Sequence, residues 1–440
     1  AVAATLSTWD GDKMKRKRAL AGKAKSKNAA AAARRARDEA LAEAAGEMPS
    51  DAEDSDLEGA RAAGDEEEDE FFETPDEKRV RLAKEYLKTI GEGKTREEVQ
   101  EELAKDTSRR QVSNLALGEP RFLRGHKMAV TSVCLTADEG TMYTGGKDCA
   151  VLRWDVETGK KDVFPGGRNK FDCGGHFEKV LSVALLEDKG LLVSVGVDRL
   201  VRLWDPRAAA TSSCVGALHG HMKETTSVVA DVGGEQFYTA SADKSLKIWD
   251  LKTRRCMETL LGHVDAVTSL DLLVKGKPLS GGADKSLRFW KVDKGTHLMF
   301  TRHTYAVDAV SVVDAEQFVS GGQDGNIMLW SSASKKPVAT TCLGDGKWVS
   351  SLAAMKRANV IFSGGTDGML RTWRCGKAAG AQEGEKKALQ LLTAAEPIQA
   401  PGCINHIAVG KRFLALAVGK EHKFGRWFYD RKEMNGVLLV

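Results

Sequence analysis

The chain has 440 residues, 42% of them apolar, with 66 Lys/Arg against 62 Asp/Glu for a formal charge of +4. That length supports a large core. No apolar run approaches a membrane span and no secretory signal opens the chain, so an intracellular protein without a membrane partner is expected. The eight cysteines include no Cys-x-x-Cys pair, which suits free thiols in a reducing compartment and predicts no metal site.

The small net charge hides a partition. Residues 1–77 hold 12 basic and 20 acidic side chains, a net of −8, whereas residues 78–440 hold 54 and 42, a net of +12. A cationic folded part favours a polyanionic partner.

Residues 1–73 lack periodic hydrophobics and read as a disordered arm. Its basic cluster Lys13, Lys15, Arg16, Lys17, Arg18, with Arg34, Arg35 and Arg37, matches a nuclear localisation signal. An acidic block then runs from Glu47 to Glu77, densest at Asp65–Glu70, and such blocks are solvated or serve as interaction tails. Residues 74–118 predict a short helical segment. Thr74-Pro75-Asp76-Glu77 is a capping box with proline at the first helical position, followed by an apolar stripe at Val80, Ala83, Leu87 and Ile90.

From residue 119 to the end one unit recurs. An acid stands six places before a tryptophan in Asp148/Trp154, Asp198/Trp204, Asp243/Trp249, Asp284/Trp290, Asp324/Trp330, Asp367/Trp373 and Glu421/Trp427. A histidine precedes the acid in five units, as His126, His176, His221, His263 and His303. The first six units place a hydroxyl four residues before the acid, at Thr144, Ser194, Thr239, Ser280, Ser320 and Ser363. The alternation in Ser245-Leu246-Lys247-Ile248-Trp249 is that of a half-buried strand. A period of 40 to 54 residues marks a modular array. The fifth to seventh units look degenerate: Lys347-Trp348 stands for Gly-His in the sixth, and Ala417 for the hydroxyl in the seventh. Two segments could supply the strand that closes the ring, Arg121–Arg124 and Gly436–Val440.

These residues resemble the WD-repeat family, which implies an all-β, seven-bladed β-propeller over residues 119–440. The resemblance also implies that acid, histidine, hydroxyl and tryptophan form a hydrogen-bonded chain inside each blade. Ser, His and Asp together invite a nucleophilic triad, but a catalytic set occurs once and this one recurs. No phosphate-cradling loop is present, so no enzyme activity and no cofactor are expected.

Two stretches are more specific, Glu73–Leu87 after the acidic tract and Gly419-Lys-Glu-His-Lys-Phe-Gly-Arg-Trp427 in the last unit. With the charged arm they resemble the WD-repeat subunit of the U3 small nucleolar ribonucleoprotein, the ribosomal-RNA-processing protein nine family. The resemblance implies a nucleolar scaffold on the box B/C region of U3 small nucleolar RNA. Its implied neighbours are the kink-turn-binding protein, other box C/D core proteins and the small-subunit processome, with no homo-oligomer. Candidate RNA contacts are Arg199, Lys244, Lys285 and His422, which follow the turn acids, the extra-loop pair Arg168 and Lys170, and Lys420, Lys423 and Arg426. Two other readings remain. Leu203-Trp-Asp-Pro-Arg207 suits a substrate receptor of a cullin-type ubiquitin ligase, and the acidic block suits a histone chaperone.

Overall fold

The computed structural model describes residues 118–164, 166–167, 174–208, 214–231, 233, 235–344, 346–356, 359–376, 388–391, 397–427 and 429–440. The charged arm, the localisation cluster, the expected helices up to residue 117, and Arg168 and Lys170 lie outside these residues.

Seven antiparallel sheets follow one another along the chain and form a seven-bladed propeller. The first blade is built from Val130–Leu135, Thr141–Gly146, Val151–Asp155 and Lys161–Phe164, in that order from the channel outward. The sixth sheet carries a fifth strand, Ile398–Gln399, paired to Met369–Gly376. Inner strands such as Val307–Val312 and Val349–Ala354 are buried throughout, because each lies between two neighbours and the channel. Small and β-branched side chains suit that crowding. Outer strands such as Arg255–Leu261 are mostly exposed.

The described core divides into seven clusters, each lying between two successive blades. Val193, Val195 and Leu203 of the second blade, for example, meet Val228, Phe237 and Trp249 of the third. Hydroxyls on the inner strands tie blade to blade. Thr131 Oγ1 donates within 2.9 Å of both Gly145 O and Val180 O, and Ser350 Oγ reaches Gly364 O at 3.2 Å and Ile404 O at 2.6 Å.

Both candidate closing segments are used. Gly436–Leu439 is the third strand of the last blade, and Arg121–Leu123 pairs outside it with Arg121 opposite Leu439. The first and last blades are also joined at each end of the channel. At one end Glu139 accepts from the backbone N–H of Lys411 and, at 3.0 Å, from Arg412 Nε. At the other, Lys147 Nζ lies 2.9 Å from Glu421 Oε1 and 2.7 Å from His422 O.

The seventh unit does not follow its expected register. Val440 exchanges both backbone hydrogen bonds with Leu414, the relation Trp373 has to Ile361 in the sixth blade. Val440 therefore occupies the tryptophan position, and Trp427 lies outside any strand, 60% exposed. The hydroxyl position is Leu416, opposite Ile407, and not Ala417. A shift of one residue turns every side chain to the other face. The six-residue spacing of Glu421 and Trp427 thus imitates the repeat without belonging to it.

Candidate nucleic-acid interface

One face of the ring carries the loops before the inner strands and the turns after the second strands. The turns are shaped by a repeated buried chain. In the first blade Trp154 Nε1 donates to Thr144 Oγ1 at 2.9 Å, and the hydroxyl in turn meets His126 Nε2 at 2.8 Å. His126 Nδ1 lies 2.9 Å from Asp148 Oδ1. Since the indole can only donate and the carboxylate only accept, the hydroxyl donates to Nε2 and the Nδ1–H to the acid. The chain recurs through His176 with Asp198, Ser194 and Trp204, and through His221 with Asp243, Thr239 and Trp249. It continues through His263 with Asp284, Ser280 and Trp290, and through His303 with Asp324, Ser320 and Trp330. The fifth unit, expected to be degenerate, is therefore complete: only the glycine before its histidine is replaced, by Arg302.

The sixth blade keeps the Trp373 Nε1 to Ser363 bond at 2.7 Å but uses a guanidinium in place of the imidazole, with Arg371 Nη2 2.7 Å from Asp367 Oδ2. Trp348 does not replace the histidine. Its carbonyl accepts from Thr366 N as Ala129 O does from Lys147 N, so it stands directly before the inner strand and turns toward the last blade.

The acids also join loop to turn. Asp243 Oδ2 accepts from Met222 N at 3.0 Å and Asp284 Oδ2 from Val264 N at 2.9 Å. Burial is the largest influence on Asp148, Asp243, Asp284 and Asp324 and opposes their ionisation, but the histidine bonds together with the loop and turn hydrogen bonds and the nearby imidazole outweigh it and hold all four below the usual carboxylate range. This geometry forces the residue after the acid into left-handed backbone. Glycine meets the demand at Gly325 and Gly368, with φ of 70° and 72°. Arg199, Lys244 and Lys285 meet it with φ of 65°, 70° and 63°. An L side chain there costs about 1–2 kcal/mol, so three exposed cations occupy sites whose backbone favours glycine. Arg199 Nη1 reaches Met222 O of the next blade at 3.3 Å, and Lys285 Nζ lies 6.0 Å from the Tyr305 ring centre.

The last blade departs most. Between Gly419 and Gly436 lie sixteen residues, where the other blades make the same turn in three or four. Lys420 braces this loop, donating from N to Asn435 Oδ1 and from Nζ to Arg431 O, both at 2.9 Å. Two expected rim contacts are corrected here. His422 is fully buried and uncharged, its pKa pushed down to about 3 by burial and then by Lys423 and Lys147. Lys423 is directed across the channel mouth to Asp308 O at 3.3 Å, its ammonium disfavoured by burial. His422 has no solvent face, and Lys423 is half-buried and turned into the channel, not outward from the rim as the other expected contacts are. Glu421 pairs with Lys147 and with Arg426 Nε at 2.9 Å, not with an imidazole.

What the loop does expose is different. Arg426 has a side chain 72% exposed, and Trp427, Tyr429, Arg431 and Lys432 are exposed beside it. Trp427 packs against Trp348 and His422, with ring centroids 5.8 and 5.9 Å apart. Sequence reasoning missed this aromatic set because the spacing assigned Trp427 to a blade. The signal available was the Gly425-Arg426 pair before it, where a strand would carry aliphatic residues.

The channel encloses about 660 Å³, lined by Ser132, Ser182, Ser227, Ser269, Ser351 and His406 among others. His406 Nδ1 accepts from Val133 N at 3.5 Å, and burial followed by Lys423 lowers its pKa to about 4. Among the described residues no group of three or more His, Cys, Asp or Glu is placed to hold a metal. Arg207 of the Trp-Asp-Pro-Arg motif is exposed and donates to Lys189 O at 3.4 Å.

The WD domain, G-beta repeat model matches residues 119–155, 167–205, 212–250, 254–291 and 296–331, the units that carry the full histidine chain. Human U3 small nucleolar RNA-interacting protein 2 is 30% identical over 444 residues, covering 84% of this chain and 82% of its own. A U3 snoRNP-associated protein-like chain of Arabidopsis thaliana is 29% identical, covering 88% and 91%. The crystal structure of the RRP9 WD40 repeats superposes with a TM-score of 0.65 at 29% identity, over 73% of this chain and 97% of that one. Sequence, fold and the share of each chain covered agree: the chain belongs to the family of WD-repeat proteins associated with the U3 small nucleolar ribonucleoprotein.

Proposed function

We propose that the protein is a non-catalytic scaffold that holds U3 small nucleolar RNA in the box C/D particle and acts in pre-ribosomal RNA processing within the small-subunit processome. Its contact is the box B/C region, beside the kink-turn-binding protein, and its location is the nucleolus. The observation that carries this reading is the set of Arg199, Lys244 and Lys285, exposed on one rim at positions whose backbone favours glycine. The name of the human relative states an interaction with U3 small nucleolar RNA. Rim cations supply phosphate contacts, whose affinity falls steeply with salt. Absence of catalysis is supported by the histidines, whose two ring nitrogens are both taken up by the acid and the hydroxyl in five blades.

Crosslinking in cells followed by RNA sequencing tests the proposal. Recovery of U3 small nucleolar RNA, weakened when Arg199, Lys244 and Lys285 are all changed to alanine, is the expected result. Recovery of no small nucleolar RNA would overturn it.

A further inference from the structure

We propose that the rim over the third, fourth and fifth blades docks an acidic amphipathic helix of a partner protein. Its apolar face lies on Met222, Leu261, Val264 and Tyr305, and its carboxylates meet Lys244 and Lys285. This partner is independent of the RNA-bound reading and shares with it only the two lysines, which protein and RNA occupy in turn.

Among the described residues these four are the most exposed large hydrophobic side chains, between 61 and 77% exposed. They are not scattered. Met222 and Val264 each follow the histidine of their loop, Tyr305 stands two places after His303, and Leu261 ends the outer strand just before Gly262-His263. All four therefore lie on the face where the loops enter the inner strands. Single exposed apolar residues are ordinary, whereas several on one rim mark an interaction surface.

Cations alternate with them. Arg199 Nη1 reaches Met222 O at 3.3 Å, and Lys285 Nζ lies 6.0 Å from the Tyr305 ring centre. Leu261 pairs opposite Ser245, the neighbour of Lys244. With Lys223 and Arg302, the exposed charges of these loops and turns are five cations against two acids, Glu224 and Asp265. That balance selects an acidic partner. Aliphatic side chains decide its class, because Met222, Leu261 and Val264 offer a nucleic acid neither an aromatic face nor a hydrogen bond.

The main chain decides its conformation. The loop N–H groups of Met222, Val264 and Thr304 already donate to the buried acids Asp243, Asp284 and Asp324, at 3.0, 2.9 and 3.3 Å. An extended segment gains its affinity from main-chain pairing, and these donors are taken. A helix satisfies its own backbone and docks through side chains three and four positions apart. The same bonds fix the loops before a partner arrives, so little freedom is lost on docking.

The test uses the full chain in cells, with Val264 replaced by the photo-crosslinker benzoylphenylalanine. A second chain carries it in place of Lys336, on the exposed outer strand of the fifth blade, as control. Irradiation is expected to join a protein at position 264 and not at 336. Mass spectrometry of the joined peptide should read a segment of net negative charge with apolar residues at helical spacing. A synthetic peptide of that segment then binds the purified full chain in fluorescence anisotropy. Met222→Ser with Leu261→Ser weakens the peptide at least about ten-fold, with thermal midpoint and RNA affinity unchanged. Lys244→Glu with Lys285→Glu weakens it as well. A crosslink at 264 to RNA alone, to a basic or non-amphipathic segment, or to nothing beyond the control overturns the proposal. So does a peptide affinity that the two serines leave unaltered. The RNA-bound reading is judged separately, by recovery of U3 small nucleolar RNA, and survives any of these outcomes.

Discussion

Lys147 and Glu421 form a buried ion pair, 2.9 Å apart, that joins the first blade to the last on the face carrying the loop 420–435. Burial works against the Lys147 ammonium, and the hydrogen bond to Glu421 opposes it without restoring the usual pKa. Removing one partner strands the other charge. Lys147→Ala is expected to cost about 3 kcal/mol, toward the lower end for a broken buried pair because Arg426 still holds the other carboxylate oxygen. The double change Lys147→Met with Glu421→Met should cost less than the two single changes summed. Urea denaturation of the four proteins measures that coupling, and simple additivity would refute it.

The left-handed cations separate folding from binding. Replacing Lys244 and Lys285 by glycine relieves backbone strain at φ of 70° and 63°. The greater freedom of glycine in the unfolded chain offsets part of this, leaving a gain of up to about 1 kcal/mol per site. RNA affinity should fall at the same time, with a flatter dependence on salt. A variant that loses stability along with affinity would show that these side chains serve the fold.

The hydroxyl in each blade predicts unequal losses. Thr239→Val leaves both Trp249 Nε1 and His221 Nε2 without a partner, for about 3 kcal/mol. Ser363→Ala leaves only Trp373 Nε1, since Arg371 and not a histidine binds Asp367, and should cost about half as much. Equal losses in denaturation would mean that the histidine bond adds nothing.

Acid sensitivity follows from three groups, Asp308 and His422, which are buried, and His406, which lines the channel. His406 and His422 have pKa values lowered to about 4 and 3, chiefly by burial. Below about 6.5 the unfolded chain binds protons that the folded chain refuses, so stability falls with pH, by up to about 1.4 kcal/mol per unit for each imidazole. Asp308 acts oppositely: burial raises it to about 6 against Lys423 and Gln323, so the folded state takes up its proton first and gains as pH falls from 6 toward 4. Two groups outweigh one, and the net is a loss between pH 6.5 and 4. Thermal midpoints across that range should drop less steeply in His406→Asn, and an unchanged slope would contradict the assignment.

The repeated pattern made the propeller legible before any coordinates. Acid, histidine, hydroxyl and tryptophan recur at fixed spacing because they touch one another within a single hairpin, and local contacts leave their record in local sequence. The five units with a histidine were readable in this way, and so were the exposed cations that follow the acids at Arg199, Lys244 and Lys285. Relations between distant parts of the chain were not. Only the tertiary structure assigned both terminal strands to one blade, 315 positions apart between Arg121 and Gly436. Only it turned Lys423 into the channel mouth, buried His422, and brought Trp348 beneath Trp427. In the last blade the spacing misled, since an acid six residues before a tryptophan does not by itself report whether that tryptophan lies in a strand or in a loop above it; only the Gly425-Arg426 pair hinted at the difference. What distinguishes the two is the pairing of Val440 with Leu414, a hydrogen-bond register set by a partner strand elsewhere in the chain.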